Sequence, residues 1–184
     1  MNNRSLVIGI AGPSSSGKST LATRLASELD AAHLCLDDYF IPAAAREVVN
    51  GRPSFEQPSQ YDGDLMAEEV SEACAKGPVV AEGFLLFVYP ALLNACHVRF
   101  LISLEDEAVV NRRKARRHAG AGRSEKAEMA FDAHGIQEWQ RFGAPQASLP
   151  GVIQLDGSKP LDQILSIARS HIQRGPQDVP RGTE

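Results

Sequence analysis

Short apolar runs alternate along the chain with stretches that repeat apolar residues every three to four positions, a pattern that predicts a parallel α/β sheet flanked by helices. Leu6-Val7-Ile8-Gly9-Ile10-Ala11 reads as a buried strand, and Leu21, Leu25 and Leu29 then fall on one helix face. Strands are expected near 5–11, 33–36, 78–82, 97–104 and 152–155, and helices near 17–29, 63–76, 105–119, 124–142 and 159–173. Gly77-Pro78 breaks the chain just before the third strand, as a helix stop does. Residues 41–62 include Pro42, Gly51, Pro53 and Pro58, show little periodicity, and read as a long loop of the kind that is often functional. Residues 175–184 read as a disordered tail, leaving one domain over 1–174.

Size and composition narrow the class. A chain of 184 residues, 43% hydrophobic and 23% charged with a net charge of −4, can bury a real core as a soluble globular protein. No apolar stretch approaches the ~20 residues a membrane helix needs. Met1-Asn2-Asn3-Arg4 runs straight into the first strand without a secretory signal. Cys35, Cys74 and Cys96 are scattered, which suits reduced thiols better than disulfides or zinc. The expected location is cytoplasmic.

Between the first strand and the first helix stands Gly12-Pro13-Ser14-Ser15-Ser16-Gly17-Lys18-Ser19, the string G-x-x-x-x-G-K-S. At a strand-to-helix joint, backbone N–H groups point at an anion and the helix dipole favours negative charge. Lys18 is expected to reach the β- and γ-phosphates of ATP, and the Ser19 hydroxyl to ligate Mg²⁺. Gly12, Ser14, Ser15, Ser16, Gly17 and Thr20 complete the expected phosphate cradle. The competing reading is a chance match in a Ser/Gly-rich turn, and the flanking strand and helix argue against it.

Ligands of parallel α/β sheets collect outside the carboxyl ends of the strands, where three acidic clusters are expected. Asp37-Asp38 follows the second strand, Glu82-Gly83 the third and Asp156-Gly157 the fifth. Phosphoryl transfer needs metal, positive charge and a positioned hydroxyl more than covalent help. Asp37 is expected to accept the acceptor's hydroxyl proton, Glu82 to hold Mg²⁺ directly or through water, and Asp156 to lie on the nucleotide side. Plainer roles compete: Asp38 as the cap of the next turn, and Asp156-Gly157 as a turn signal.

The run Arg112-Arg113-Lys114-Ala115-Arg116-Arg117 carries five positive charges. Without them the rest of the chain is strongly acidic, a poor footprint for nucleic-acid binding. On a helix, Arg112 and Arg116 share one face, as do Arg113 and Arg117. One such pair could close over ATP phosphates as a lid near 112–124, with Gly120-Ala121-Gly122 as a flexible break, and a solvated surface helix is the alternative.

Taken in order, the motifs resemble the uridine kinase and nicotinamide riboside kinase family of P-loop kinases. The likeness runs from the first strand to about residue 173. It rests on the phosphate loop with Thr20, Asp37-Asp38-Tyr39-Phe40-x-Pro42, Tyr61-Asp62, Glu82-Gly83-Phe84-Leu85-Leu86-Phe87, Arg112-Arg113-x-x-Arg116 and Leu155-Asp156-Gly157. The resemblance implies a five-stranded parallel sheet with a small Arg-rich lid, and transfer of the ATP γ-phosphate to a nucleoside 5′-hydroxyl. By the same resemblance Asp37 is the base and Glu82 the magnesium-side acid. Arg113 and Arg116 are lid arginines, Arg112 and Asp156 lie by the nucleotide, and Tyr39, Tyr61, Asp62 and His118 face the acceptor. His118 stands where the family pattern has an aromatic. From the residues alone, Asp62 is equally a helix cap, Tyr61 equally a core aromatic, and His97 and His134 read as structural. Trp139 and Phe142 fit either core or interface.

The expectation is an ATP- and Mg²⁺-dependent small-molecule kinase acting on a nucleoside, with neither nucleic acid nor membrane as partner. Two alternatives stay open: a kinase for a non-nucleoside hydroxyl such as pantothenate or a sugar phosphate, and a nucleotide-binding ATPase or switch domain.

Overall fold

The computed structural model describes residues 6–42, 48–49, 52–53, 57–118 and 135–174. In chain order its elements are β1 (Val7–Ala11), α1 (Lys18–Leu29), β2 (Ala32–Cys35), β3 (Val48–Val49), β4 (Arg52–Pro53), α2 (Gly63–Cys74), β5 (Val79–Gly83), α3 (Pro90–Ala95), β6 (Val98–Ser103), α4 (Asp106–His118), β7 (Val152–Asp156) and α5 (Leu161–Arg174). Five of the strands form a parallel sheet in the order β2-β5-β1-β6-β7, while β3 and β4 pair as a separate antiparallel hairpin. This is the α/β P-loop fold, and the five sheet strands lie where the apolar runs predict them.

Every residue of β1 is buried, as a central parallel strand covered on both faces requires. Ile8 and Ile10 join Leu21, Leu25, Val80, Phe100 and Leu165 in one apolar layer against α1 and α5. Val7 and Ala11 face the opposite layer with Met66, Val70, Leu86, Phe87 and Leu92, on the side of α2 and α3. Each fully buried Leu, Ile or Phe contributes roughly 1.5–3 kcal/mol relative to exposure. Among the described residues no helix is long and apolar enough to cross a membrane.

Three expectations need correction. Segment 41–62 is not without structure: it contains the β3–β4 hairpin, a 3₁₀ turn at Pro58–Gln60, and a bridge between Phe40 and Tyr61 whose rings stack 4.4 Å apart. The helix α3 was not anticipated, although Pro90 sits at its first turn, where a missing N–H costs nothing. The helix expected near 124–142 does not run through as an α-helix. Residues 119–134 lie outside the described residues; 135–138 are helical, Trp139–Gly143 form a wide π turn, and Ala144–Ser148 a 3₁₀ turn. Pro145 lacks the N–H that an α-helix would send back one turn. A Cβ on Gly143 would also lie 1.9 Å from the Trp139 ring, so that ring occupies the glycine's open side. The tail 175–184 lies outside the described residues.

The same return segment fastens the loop after β5. Gln146 is 2% exposed, and its Oε1 accepts the Phe87 N–H at 2.7 Å. Its Nε2 donates to the Phe84 and Gly143 carbonyls at 3.1 and 3.0 Å. Trp139, buried, meets Phe84 edge-on at 5.1 Å. Trp139 is therefore core, and Phe142 is half-buried beneath Arg141. Replacing the amide by a hydrocarbon of similar size leaves buried backbone groups unpaired. Gln146→Leu is expected to lower unfolding free energy by about 1–3 kcal/mol, read by urea denaturation.

Candidate active site

The loop after β1 is shaped by backbone conformation. Ser15 and Gly17 both have positive φ, 60° and 99°. Left-handed residues interrupting a turn aim successive N–H groups into a concavity that suits an anion, and for Ser15 that conformation is strained and must be held by its surroundings. Gly12 is required by close approach: a Cβ there would lie 2.8 Å from Ser16 Oγ and 2.9 Å from the Ile102 carbonyl. A Cβ on Gly17 would meet nothing within 4 Å, so its need is conformational, and the space above it is open.

Helix α1 begins at Lys18 without a side-chain cap and without an acid in its first turn. Its orphan N–H groups and dipole are left for a ligand. Lys18 is half-buried, Ser19 and Thr20 are exposed in that first turn, and the buried Ser15 and Ser16 hydroxyls have no hydrogen-bond partner. The cradle thus fits the phosphates of ATP in conformation, open space and unspent donors. By contrast α2 is closed to anions: Asp62 caps it, accepting the Leu65 N–H at 2.9 Å, and Asp64 sits in its first turn.

The basic run lies on α4, and two of its arginines already reach the phosphate loop. Arg112 donates to the Ser15 carbonyl at 3.4 Å and to the Gly157 carbonyl at 2.8 Å. Arg113, only 7% exposed, donates to Ser14 Oγ. The two arginines that meet the loop among the described side chains are adjacent in sequence, and Arg112 also bonds the β7 turn. Arg116 is exposed. The His118 side chain and residues 119–124 of the expected lid lie outside the described residues.

Three adjacent strands bring the acids to the loop. In the β1–β5 register Ile10 stands opposite Glu82, and in the β2–β5 register Cys35 does. Glu82 is 2% exposed, with Oε1 4.0 Å from His33 Nε2 and Oε2 buried without a hydrogen-bond partner. Burial, reinforced by the Glu82 charge, pushes the Cys35 thiol up to about 12, so it stays protonated and inert. No group of three or more His, Cys, Asp or Glu able to hold a metal exists among the described residues. An Mg²⁺ here would take Glu82 and Ser19 oxygens and draw its remaining ligands from phosphates and water, as this hard cation does at phosphoryl sites.

Asp37 and Asp38 fall in the 3₁₀ turn Leu36–Tyr39 that ends β2, and both are exposed. The residue preceding that turn is Cys35, and no side chain caps it. The Tyr39 hydroxyl donates to Glu69 Oε2 at 2.6 Å. Burial, then Glu69, holds the phenol well above its ordinary value. Tyr61 is 7% exposed, stacked on Phe40 within the core layer, which is the position of a core aromatic. Between this turn and α2 opens a cleft of about 570 Å³, with Asp38, Tyr39 and Phe40 on one side and Asp62, Leu65 and Glu69 on the other.

Asp156 makes a turn: its Oδ1 accepts the Ser158 N–H at 2.9 Å and hydroxyl at 2.6 Å. Those bonds, with Lys159 nearby, hold its carboxyl below the usual range. The turn is tied to α4 by the next residue, whose Gly157 carbonyl accepts from Arg112. His97 is structural, its Nδ1 accepting the Val7 N–H at 3.0 Å, and His134 lies outside the described residues. The partners that sequence reasoning missed are Ser14 for Arg113, Gly157 for Arg112, His33 for Glu82 and Glu69 for Tyr39. All are long-range pairs, and no local spacing signals them.

Arg112 ties the strained Ser15 to the β7 turn, so its loss loosens the cradle before any ligand arrives. Losing such charge-assisted bonds costs about 1.5–3 kcal/mol. Arg112→Ala is expected to weaken ADP binding roughly tenfold or more, measured by titration calorimetry.

No family model and no curated protein sequence matches the chain. Solved structures do. A gluconokinase from Sinorhizobium meliloti 1021 superposes with a TM-score of 0.62 at 14% identity, covering 95% of this chain and 94% of that one. A sugar kinase from Janibacter sp. HTCC2649 gives 0.63 at 18%, covering 92% and 95%. A shikimate kinase from Aquifex aeolicus vf5 gives 0.51 at 17%, covering 91% and 96%. At these identities the likeness is one of fold, and the fold this chain shares is that of P-loop kinases.

Proposed function

We propose that the chain is an ATP- and Mg²⁺-dependent small-molecule kinase that transfers the γ-phosphate to a hydroxyl, with a nucleoside 5′-hydroxyl as the acceptor its motifs favour. One observation carries this reading: an uncapped helix behind a loop holding left-handed residues, with Glu82, one of whose oxygens is buried without a hydrogen-bond partner, at the end of the adjacent strand β5 and Asp37 after the next strand, β2. The kinase names of the structures that share the fold support it.

In this reading the loop N–H groups and Lys18 hold the phosphates, and Arg113 adds positive charge beside Ser14. Ser19 and Glu82 would hold Mg²⁺, which would supply neutralisation of the charge that develops on the phosphate oxygens. Asp37 accepts the acceptor's hydroxyl proton as its oxygen bonds to the γ-phosphorus and the bond to the ADP oxygen breaks. The lid near 112–124 closes to exclude water, because an open site would hydrolyse ATP. A second reading, a kinase for a non-nucleoside hydroxyl, is favoured by the names gluconokinase, sugar kinase and shikimate kinase among the similar folds.

The test is ADP release with ATP and Mg²⁺ across uridine, cytidine, adenosine, nicotinamide riboside, pantothenate and gluconate. Lys18→Ala is expected to abolish turnover. Asp37→Asn is expected to lower kcat by about 10²–10⁴ while ADP binding persists, and an unchanged kcat would remove Asp37 from the role of base.

A further inference from the structure

The geometry points to an acceptor cleft that selects against negative charge: it takes a hydroxyl compound that is neutral or cationic and rejects one bearing a carboxylate or phosphate. This rests on the kinase reading above and narrows its substrate class.

The cleft between the β2 turn and α2 adjoins the reaction machinery. His33, one of its lining residues, has Nε2 4.0 Å from the Glu82 carboxylate, and Asp38, another, directly follows Asp37. Three carboxylates line it, those of Asp38, Asp62 and Glu69, and its described lining contains neither lysine nor arginine. Two of the three are held as hydrogen-bond acceptors by the fold itself: Asp62 by the Leu65 N–H and Glu69 by the Tyr39 hydroxyl. Two features of the described wall could attract an anion: the N-terminus of α2 is filled by the Asp62 cap, and the His33 imidazole already faces the Glu82 carboxylate. Two arginines of the phosphate site are engaged away from this cleft, Arg112 on the Ser15 and Gly157 carbonyls and Arg113 on Ser14.

Like charges brought together across a cleft repel, and because Asp38, Asp62 and Glu69 are exposed the repulsion is one that salt screens. Specificity then arises from what is disfavoured as much as from what is bound. The remaining wall suits an uncharged or cationic body. Phe40 offers an aromatic face, and Leu65 is 44% exposed at the rim, unusual for a large aliphatic side chain. Gluconate and shikimate, the acceptors that two of the similar folds are named for, are both carboxylates. The fold is therefore shared while the acceptor charge differs.

The experiment uses acceptor pairs that differ by one carboxylate: uridine against orotidine, glucitol against gluconate, and nicotinamide riboside against nicotinate riboside. Values of kcat/KM are compared in the wild type, in Asp38→Asn and in Glu69→Gln. Asp38 is exposed, so its variant is expected to fold normally even if loss of the Tyr39 bond disturbs Glu69→Gln. The expected result is at least a tenfold preference for the carboxylate-free member of each pair that turns over, shrinking severalfold in Asp38→Asn and on raising ionic strength. A carboxylate member used equally well or better, or a preference unmoved by Asp38→Asn, overturns the inference and leaves the kinase reading intact. Silence of every member, with ADP still bound in calorimetry, overturns the kinase reading itself.

Discussion

Everything at the candidate site depends on parallel register. Because all five sheet strands run the same way, their carboxyl ends share one edge, and hydrogen bonding levels Ile10, Glu82 and Cys35 across three neighbours. The phosphate loop therefore leaves β1 one residue beyond a carboxylate that the sheet has already buried. A shift of one residue in either pairing would move Glu82 to the opposite face, since successive side chains alternate. The apolar layers on both faces of β1 fix that register, so the core is what places the acid.

Around this edge the chain places strain and charge together. Ser15 adopts a left-handed conformation and Arg113 is buried, and neither is stable in isolation. Each is held by the other's neighbourhood: Arg112 bonds the Ser15 carbonyl and the β7 turn, while Arg113 bonds Ser14. The cradle is thereby organised before a ligand binds, which lowers the cost of ordering it at binding. On the far side, Gln146 and Trp139 brace the loop that follows Glu82, so both flanks of the central strands are tied to segments that come later in the chain.

The division between an anion-seeking and a cation-tolerant end follows from helix termini. The α1 terminus is left uncapped and faces the loop, whereas the α2 terminus is closed by its own aspartate. Two helix N-termini on the same edge of the sheet therefore present opposite electrostatics, and the difference comes from two acids, the Asp62 cap and Asp64 in the first turn of α2.

Much of this was legible in the amino-acid sequence because it is local. The strands, α1 and the phosphate loop follow from apolar periodicity and from glycines at fixed offsets, which act within a few residues. The acids after β2, β5 and β7 were legible because an α/β sheet sends its strand ends to one side. Tertiary structure alone decided how the candidate residues are engaged: Asp156 accepts from Ser158, Asp62 caps α2 and Tyr61 packs in the core, while Glu82 keeps a buried oxygen without a hydrogen-bond partner. It also decided that the adjacent Arg112 and Arg113 reach the phosphate loop, and that the helix near 139 opens into a π turn. Those outcomes depend on contacts between residues tens of positions apart, formed only when the packed layers bring them together, and no spacing along the chain encodes them.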